Sequence, residues 1–153
     1  MARLTVEDDQ LVLRLTWSEK VAARRSRVRV PLSAVRTVVI EPDWWRALRG
    51  RHGRGVWAPE VVCIGVRRHS AGRDFVAMRP GGPVLCIGLR PSSAFSLLVV
   101  SVPNPGAVAG RLRKAAPNLV TAAGGGLWRS LPVPEESPKT NAGAGQAHVR
   151  ERN

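Results

Sequence analysis

Tyrosine is absent from these 153 residues, and phenylalanine occurs only twice. Base-reading sheets that bind single-stranded RNA need aromatic rings along adjacent strands. Phe75 is the one candidate at the centre of a strand-like run, so the aromatic inventory argues against that mode of recognition. Cysteine is equally scarce. Cys63 and Cys86 form no C-x-x-C pair, which leaves no disulfide framework. Each lies in an apolar run and reads as a buried, inert thiol. No apolar stretch approaches the ~20 residues of a membrane-crossing helix. Met1-Ala2-Arg3-Leu4 leads straight into Glu7-Asp8-Asp9, without a leader pattern, and neither end carries a lipidation motif. The expected location is the cytoplasm, with peripheral attachment to a membrane left open.

Catalytic signatures are missing as well. Gly50-Arg51-His52-Gly53-Arg54-Gly55 is glycine-rich, but no Gly-Lys-Ser/Thr follows it. Neither G-x-S-x-G nor H-E-x-x-H occurs. His52 and His69 are flanked by arginine, an unfavourable setting for a metal cation, and His148 lies far downstream. The acidic triplet Glu7-Asp8-Asp9 has no further ligands at calcium-loop spacing and reads as a solvated turn. A catalytic centre would have to assemble from scattered acids such as Glu41, Glu60 and Asp74. The expectation is a protein that is not an enzyme and holds no cofactor and no metal.

What the chain has in quantity is arginine. Only Lys20, Lys114 and Lys139 among the 24 basic residues are lysines, and the formal net charge is +13. Residues 117–153 hold four basic and three acidic side chains, so all but one unit of that charge sits in residues 1–116. Genome base composition can produce such a bias, and so can an anion-binding role. Composition does not choose between them.

Period-two alternation runs through residues 3–102. Arg3–Val6 and Gln10–Leu15 read as a hairpin with Leu11, Leu13 and Leu15 on one face. Thr16 with Glu19 has the form of a capping box, opening a short helix that ends at Arg24-Arg25, with Trp17 packed beneath it. In the next strand Val28 and Val30 point inward. Arg27 and Arg29 point outward, about 7 Å apart from the strand rise, a spacing that could meet adjacent phosphates or serve only as a solvated face. Further strands are expected at 35–41, 61–67, 73–79, 84–90 and 95–102. The near-identical pentapeptides Cys63-Ile64-Gly65-Val66-Arg67 and Cys86-Ile87-Gly88-Leu89-Arg90 read as two strands in similar surroundings, with glycines marking bends or bulges. Asn104 and Pro105 open a C-terminal helix that Pro117 ends. Residues 118–153 have the composition of a disordered Gly/Pro/Ala-rich tail, with Leu127-Trp128-Arg129-Ser130-Leu131 as an apolar island.

The stretch Pro42–Glu60 stands apart. It holds three of the five tryptophans and four arginines. Asp43 is placed to cap a short helix from Trp44 to Leu48 or Arg49, with Trp44 and Leu48 turned inward and Trp45 elsewhere. Gly50, Gly53 and Gly55 are expected to prevent regular structure from continuing, leaving Gly50–Trp57 as a cationic loop.

Seven or eight short strands followed by one helix suggest a barrel or sandwich capped by that helix. Residues 3 to about 115 resemble a pleckstrin-homology-like (PH-like) domain of small actinobacterial proteins. The resemblance is carried by Trp17-Ser18-Glu19-Lys20, Val30-Pro31-Leu32-Ser33-Ala34-Val35, Asp43-Trp44-Trp45-Arg46-Ala47-Leu48-Arg49-Gly50, Gly72-Arg73-Asp74-Phe75-Val76-Ala77 and Leu98-Val99-Val100-Ser101-Val102. It implies a mainly β fold, a curled antiparallel sheet or split barrel of about seven strands with a C-terminal helix. The domain would span residues 1–116 and the tail 117–153. It implies a binding or adaptor module, for an anionic membrane surface or a protein partner. The candidate contact residues are Arg46, Arg49, Arg51 and Arg54 with Trp45 and Trp57, joined by Arg27 and Arg29. Nucleic acid is the alternative ligand: the charge suits it, and no recognised nucleic-acid motif supports it.

Overall fold

Asp8 and Asp9 both adopt left-handed backbone conformations, which short polar side chains tolerate. They close a two-residue turn joining β1 (Arg3–Glu7) to β2 (Gln10–Arg14) in register. In the computed structural model, which describes residues 2–58 and 60–120, β3 (Arg27–Pro31) adds to β2 and completes a three-stranded antiparallel sheet. Helix α1 (Trp17–Ala23) fills the β2–β3 connection. The Thr16 backbone N–H donates to the Glu19 carboxylate at 2.7 Å, so the capping box is formed. Arg24, left-handed at φ 52°, ends the helix.

A second sheet has six strands in the order β4-β8-β9-β7-β6-β5. They are β4 (Val35–Glu41), β5 (Arg51–Ala58), β6 (Val62–His69), β7 (Gly72–Met78), β8 (Val84–Leu89) and β9 (Leu97–Val100). Helix α2 (Pro105–Ala115) packs on β4 and β8, and Arg113 donates to the Val38 carbonyl at 2.9 Å.

The mainly β class and the C-terminal helix are as expected. The topology is richer: nine strands in two sheets and no closed barrel among the described residues. Two elements account for the difference. First, β9 inserts between β7 and β8 and runs parallel to β7, so the Pro80–Pro83 connection closes no hairpin. Leu97, Leu98, Val99 and Val100 are all buried, and a strand apolar on both faces belongs in the middle of a sheet covered on both sides. Second, the expected cationic loop is strand β5. Gly55 and Gly65 face each other across β5 and β6 with φ near +148° and +146°, beside a bulge between His52 and Gly55. A Cβ on Gly55 would strike the Ile64 carbonyl oxygen, and one on Gly65 the Arg54 carbonyl oxygen. The glycines read as strand breakers let the two backbones approach.

Alternation sorts the side chains of the large sheet into two layers. Phe75, Leu85, Ile87 and Leu98 face the three-stranded sheet and meet Leu11, Leu13, Val28 and Val30. Val76, Met78, Val99 and both cysteines face the opposite way. Trp44, Leu48 and Trp57 cover that outer layer, so Trp44 and Leu48 do turn inward, from a short 3-10 turn over Trp44–Ala47 instead of an α-helix. The cysteines of the repeated Cys-Ile-Gly segments share this layer, and each glycine lies opposite an irregularity in its neighbour: Gly65 across from β5, Gly88 across from Val35–Thr37 in β4. Burial pushes the Cys63 thiol up from its ordinary pKa, with nearby Arg67 pulling the other way.

Trp17 departs from expectation. It is 80% exposed on α1, because Glu19 and not Trp17 fills the space under the first turn. At the C-terminal end, Leu119 packs on the inner layer and the Val120 N–H donates to the Arg36 carbonyl at 2.8 Å. Residues 118–120, assigned to the tail, are thus attached to β4. The remainder of the expected tail and its Trp128 island lie outside the described residues.

Beneath the β5–β7 edge sits a buried charge network. Arg49 is 5% exposed and Asp74 fully buried. Arg49 donates from Nε and Nη2 to the two Asp74 oxygens at 2.7 and 2.6 Å. His69 meets Asp74 Oδ1 through Nε2 at 2.8 Å, while the Ala71 N–H donates to its Nδ1 at 3.2 Å. Nδ1 therefore accepts, and Nε2 carries the proton given to Asp74. Replacing Asp74 removes the carboxylate that accepts from both Arg49 and His69, and breaking a buried pair is strongly destabilising. Asp74→Leu is expected to cost ~3–5 kcal/mol. Arg49→Met in the same chain should recover part of that loss, and additive losses in urea titrations of the single and double variants would overturn the assignment. A second expectation concerns pH. Because the folded Cys63 thiol holds its proton longer than the unfolded one, stability falls as pH rises above about 8.5, where the unfolded thiol ionises. Thermal melts at pH 7.5 and 10 should show a smaller loss for Cys63→Ala than for the parent.

Candidate functional site

Helix α1 lies over β5 and β6. The left-handed residue Arg24 turns the chain back at the end of α1, where the Arg25 N–H reaches the Lys20 carbonyl at 3.3 Å. That reversal aims Arg24 and Arg25 at a cleft of about 850 Å³ between α1, β5, β6 and the start of β7. Arg54 enters it from β5, Arg68 from β6 and Arg73 from β7. No carboxylate lines the cleft, and none of these five arginines takes part in an ion pair among the described residues.

Strand register sharpens the picture. Arg51 lies opposite Arg68 on β5–β6, and Arg68 lies opposite Arg73 on β6–β7. Directly opposed residues share a sheet face, so three like charges form one cross-strand row, an arrangement that destabilises a sheet. Beside the cleft, Trp17 and Val21 stand one helical turn apart on α1, and Val21 is 61% exposed. Val56 adds an exposed aliphatic from β5, and with Val21 it lines the cleft.

The residues expected from sequence are scattered by this geometry. Arg49 is withdrawn: its guanidinium is consumed by Asp74, and a cation buried in a bidentate pair is not presented to a ligand. Arg46 pairs with Asp43 at 3.3 Å on the surface of the 3-10 turn. Trp45 is exposed beside it, edge-on to Trp44 with ring centroids 6.2 Å apart. Trp57 is half-buried, its indole N–H donating to the Gly53 carbonyl at 3.1 Å and its ring beneath the Arg67 guanidinium at 5.3 Å. Arg67 also donates to the Arg49 carbonyl at 2.8 Å and to that of Gly50. Arg51 and Arg54 are exposed on β5. Of the expected residues only Arg54 enters the large cleft, while Arg27 and Arg29 line a separate groove.

Sequence reasoning did not place Arg24, Arg25, Arg68 and Arg73 together. The pairing of β6 with β7 through the Ser70-Ala71 turn was the available signal, since it sets Arg68 against Arg73. Among the described residues no three His, Cys, Asp or Glu side chains gather as a metal set, and no helix is long and apolar enough to cross a membrane. No family model matches the chain, and no curated protein or solved structure matches it.

Proposed function

We propose that this chain is a non-catalytic binding module that docks on an anionic membrane surface through the α1–β5–β6 cleft. The reading rests above all on the cross-strand row Arg51–Arg68–Arg73, which opens into a cleft that no carboxylate lines. Like charges held opposite one another cost folding stability, and a bound anion relieves that cost. Trp17, Val21 and Val56 suit the same partner, because aromatic and aliphatic side chains enter the interfacial layer while the guanidinium groups meet lipid phosphates. The PH-like resemblance belongs with this reading. What supports it is the pair of sheets followed by a C-terminal helix. Nucleic acid, the competing ligand, meets exposed arginines here, but among the described strands only the half-buried Trp57 offers a ring outside the core, and one ring already under Arg67 is not a stacking platform.

Each basic residue near an anionic surface contributes ~1 kcal/mol. Arg68→Ser combined with Arg73→Ser should therefore weaken binding of the full chain to phosphatidylserine-containing vesicles roughly thirtyfold. Trp17→Ala should weaken it further at high salt, where the apolar contribution dominates. Co-sedimentation at two salt concentrations, with neutral vesicles and single-stranded DNA in parallel, checks this. Equal binding to neutral vesicles, or tight DNA binding without vesicle binding, would overturn it.

A further inference from the structure

On β3 the alternation that buries Val28 and Val30 leaves Arg27 and Arg29 exposed on one face, about 7 Å apart. They form one wall of a second groove, of about 480 Å³, on the far side of Arg25 from the first cleft. Arg90 stands on the opposite lip. Its N–H donates to the Ala34 carbonyl at 2.9 Å, and its carbonyl accepts from the Ser93 N–H at 2.9 Å. This turn sets Arg90, Ser92 and Ser93 on the same rim. Four guanidinium groups thus surround the groove. No carboxylate lines it, and none of the four takes part in an ion pair among the described residues. The sheet behind adds to the field. Arg3, Arg14 and Arg27 lie opposite one another across β1, β2 and β3, and Glu7 neutralises only Arg14, at 2.7 Å.

We propose that this groove is a second anion site, separate from the membrane-facing cleft, and that it takes a linear oligophosphate. Three observations select that chemistry. The Arg27–Arg29 spacing lets two guanidinium groups grip two groups along one chain. An oligophosphate carries one negative charge on each internal phosphate and up to about two on each end, packed along a short chain with two or three free acceptor oxygens per phosphate, which suits four arginines outside any ion pair better than the single, more widely spaced charges of an acidic peptide. The groove also offers no face to a nucleobase. Its one ring, Phe95, is 3% exposed and lies under Arg25 and Arg73, whose guanidinium carbons stand 5.3 and 5.8 Å from the ring centroid. The site reads phosphates alone.

The test is calorimetric titration of the full chain with sodium triphosphate at two salt concentrations, with orthophosphate as the short control. Triphosphate should bind at low salt, weaken as salt rises, and outcompete orthophosphate. Arg27→Ser combined with Arg29→Ser, both exposed positions, should weaken triphosphate binding about tenfold or more with the melting temperature retained. Arg68→Ser with Arg73→Ser should weaken it clearly less than the Arg27/Arg29 change, because these residues line the other cleft and act on the groove only through the shared field. Vesicles carrying a lipid diphosphate separate the two sources of the ligand. A loss confined to free triphosphate assigns a soluble chain, and an equal loss on those vesicles assigns a phosphorylated headgroup. Absence of triphosphate binding at low salt, full binding by the Arg27/Arg29 variant, or equal weakening in both variants would overturn the proposal.

Discussion

The buried Arg49–Asp74 pair is the constraint on which the arginine surface depends. Asp74 belongs to β7, and Arg49 belongs to the segment between the 3-10 turn and β5. Their bidentate contact fixes where the chain enters the sheet edge. Arg67 then holds the carbonyls of Arg49 and Gly50, and β5 is laid along β6 in the register that sets Arg51 against Arg68. A charge pair this deep contributes little net stability over a well-packed apolar pair. What it supplies is position: a half-satisfied guanidinium is costly enough that alternative registers of β5 are penalised.

This division of labour explains why a basic segment contains both binding and non-binding arginines. In one dimension Arg46, Arg49, Arg51 and Arg54 form a single cluster. In three dimensions they separate into a surface pair with Asp43, a buried strut, and two strand residues facing solvent. Nothing in the local sequence distinguishes Arg49, because its carboxylate arrives from 25 residues away. The same distance effect hides β9. Its Leu97-Leu98-Val99-Val100 run is legible as a buried strand, but its insertion between β7 and β8 depends on which faces the rest of the chain leaves uncovered. Features set by neighbouring residues were legible: the Asp8-Asp9 turn, the Thr16–Glu19 box, the alternation of β3, the Pro105 helix start and the bulge glycines. Trp17 was misjudged because a capping box shows where a helix begins and does not show which side of its first turn is covered. Gly53 and Gly55 were misjudged because glycine weakens a strand only where no partner backbone needs the space.

The two grooves also bear on the origin of the arginine excess. A compositional bias scatters basic residues without regard to their neighbours across the sheet. Here they recur in directly opposed positions, Arg51–Arg68–Arg73 on one sheet and Arg3–Arg14–Arg27 on the other, and among the described residues Glu7 is the one carboxylate that forms an ion pair with either row. Acidic residues are not lacking: the chain has 11. Several serve the frame instead, Glu19 in the α1 cap and Asp74 in the buried pair.

Arg25 lines both grooves, and Phe95 lies beneath both Arg25 and Arg73. The two anion sites we propose therefore share Arg25 and meet at one stack of guanidinium over ring. An oligophosphate in the smaller groove would neutralise part of the field that draws the larger cleft to lipid phosphate. The coupling between two anions so placed is unfavourable, and because it is a coupling of equilibrium affinities it acts equally in both directions. A soluble oligophosphate would loosen the hold on the surface, and the surface would loosen the hold on the oligophosphate. Such antagonism requires no conformational change, only two clusters of arginine sharing a member.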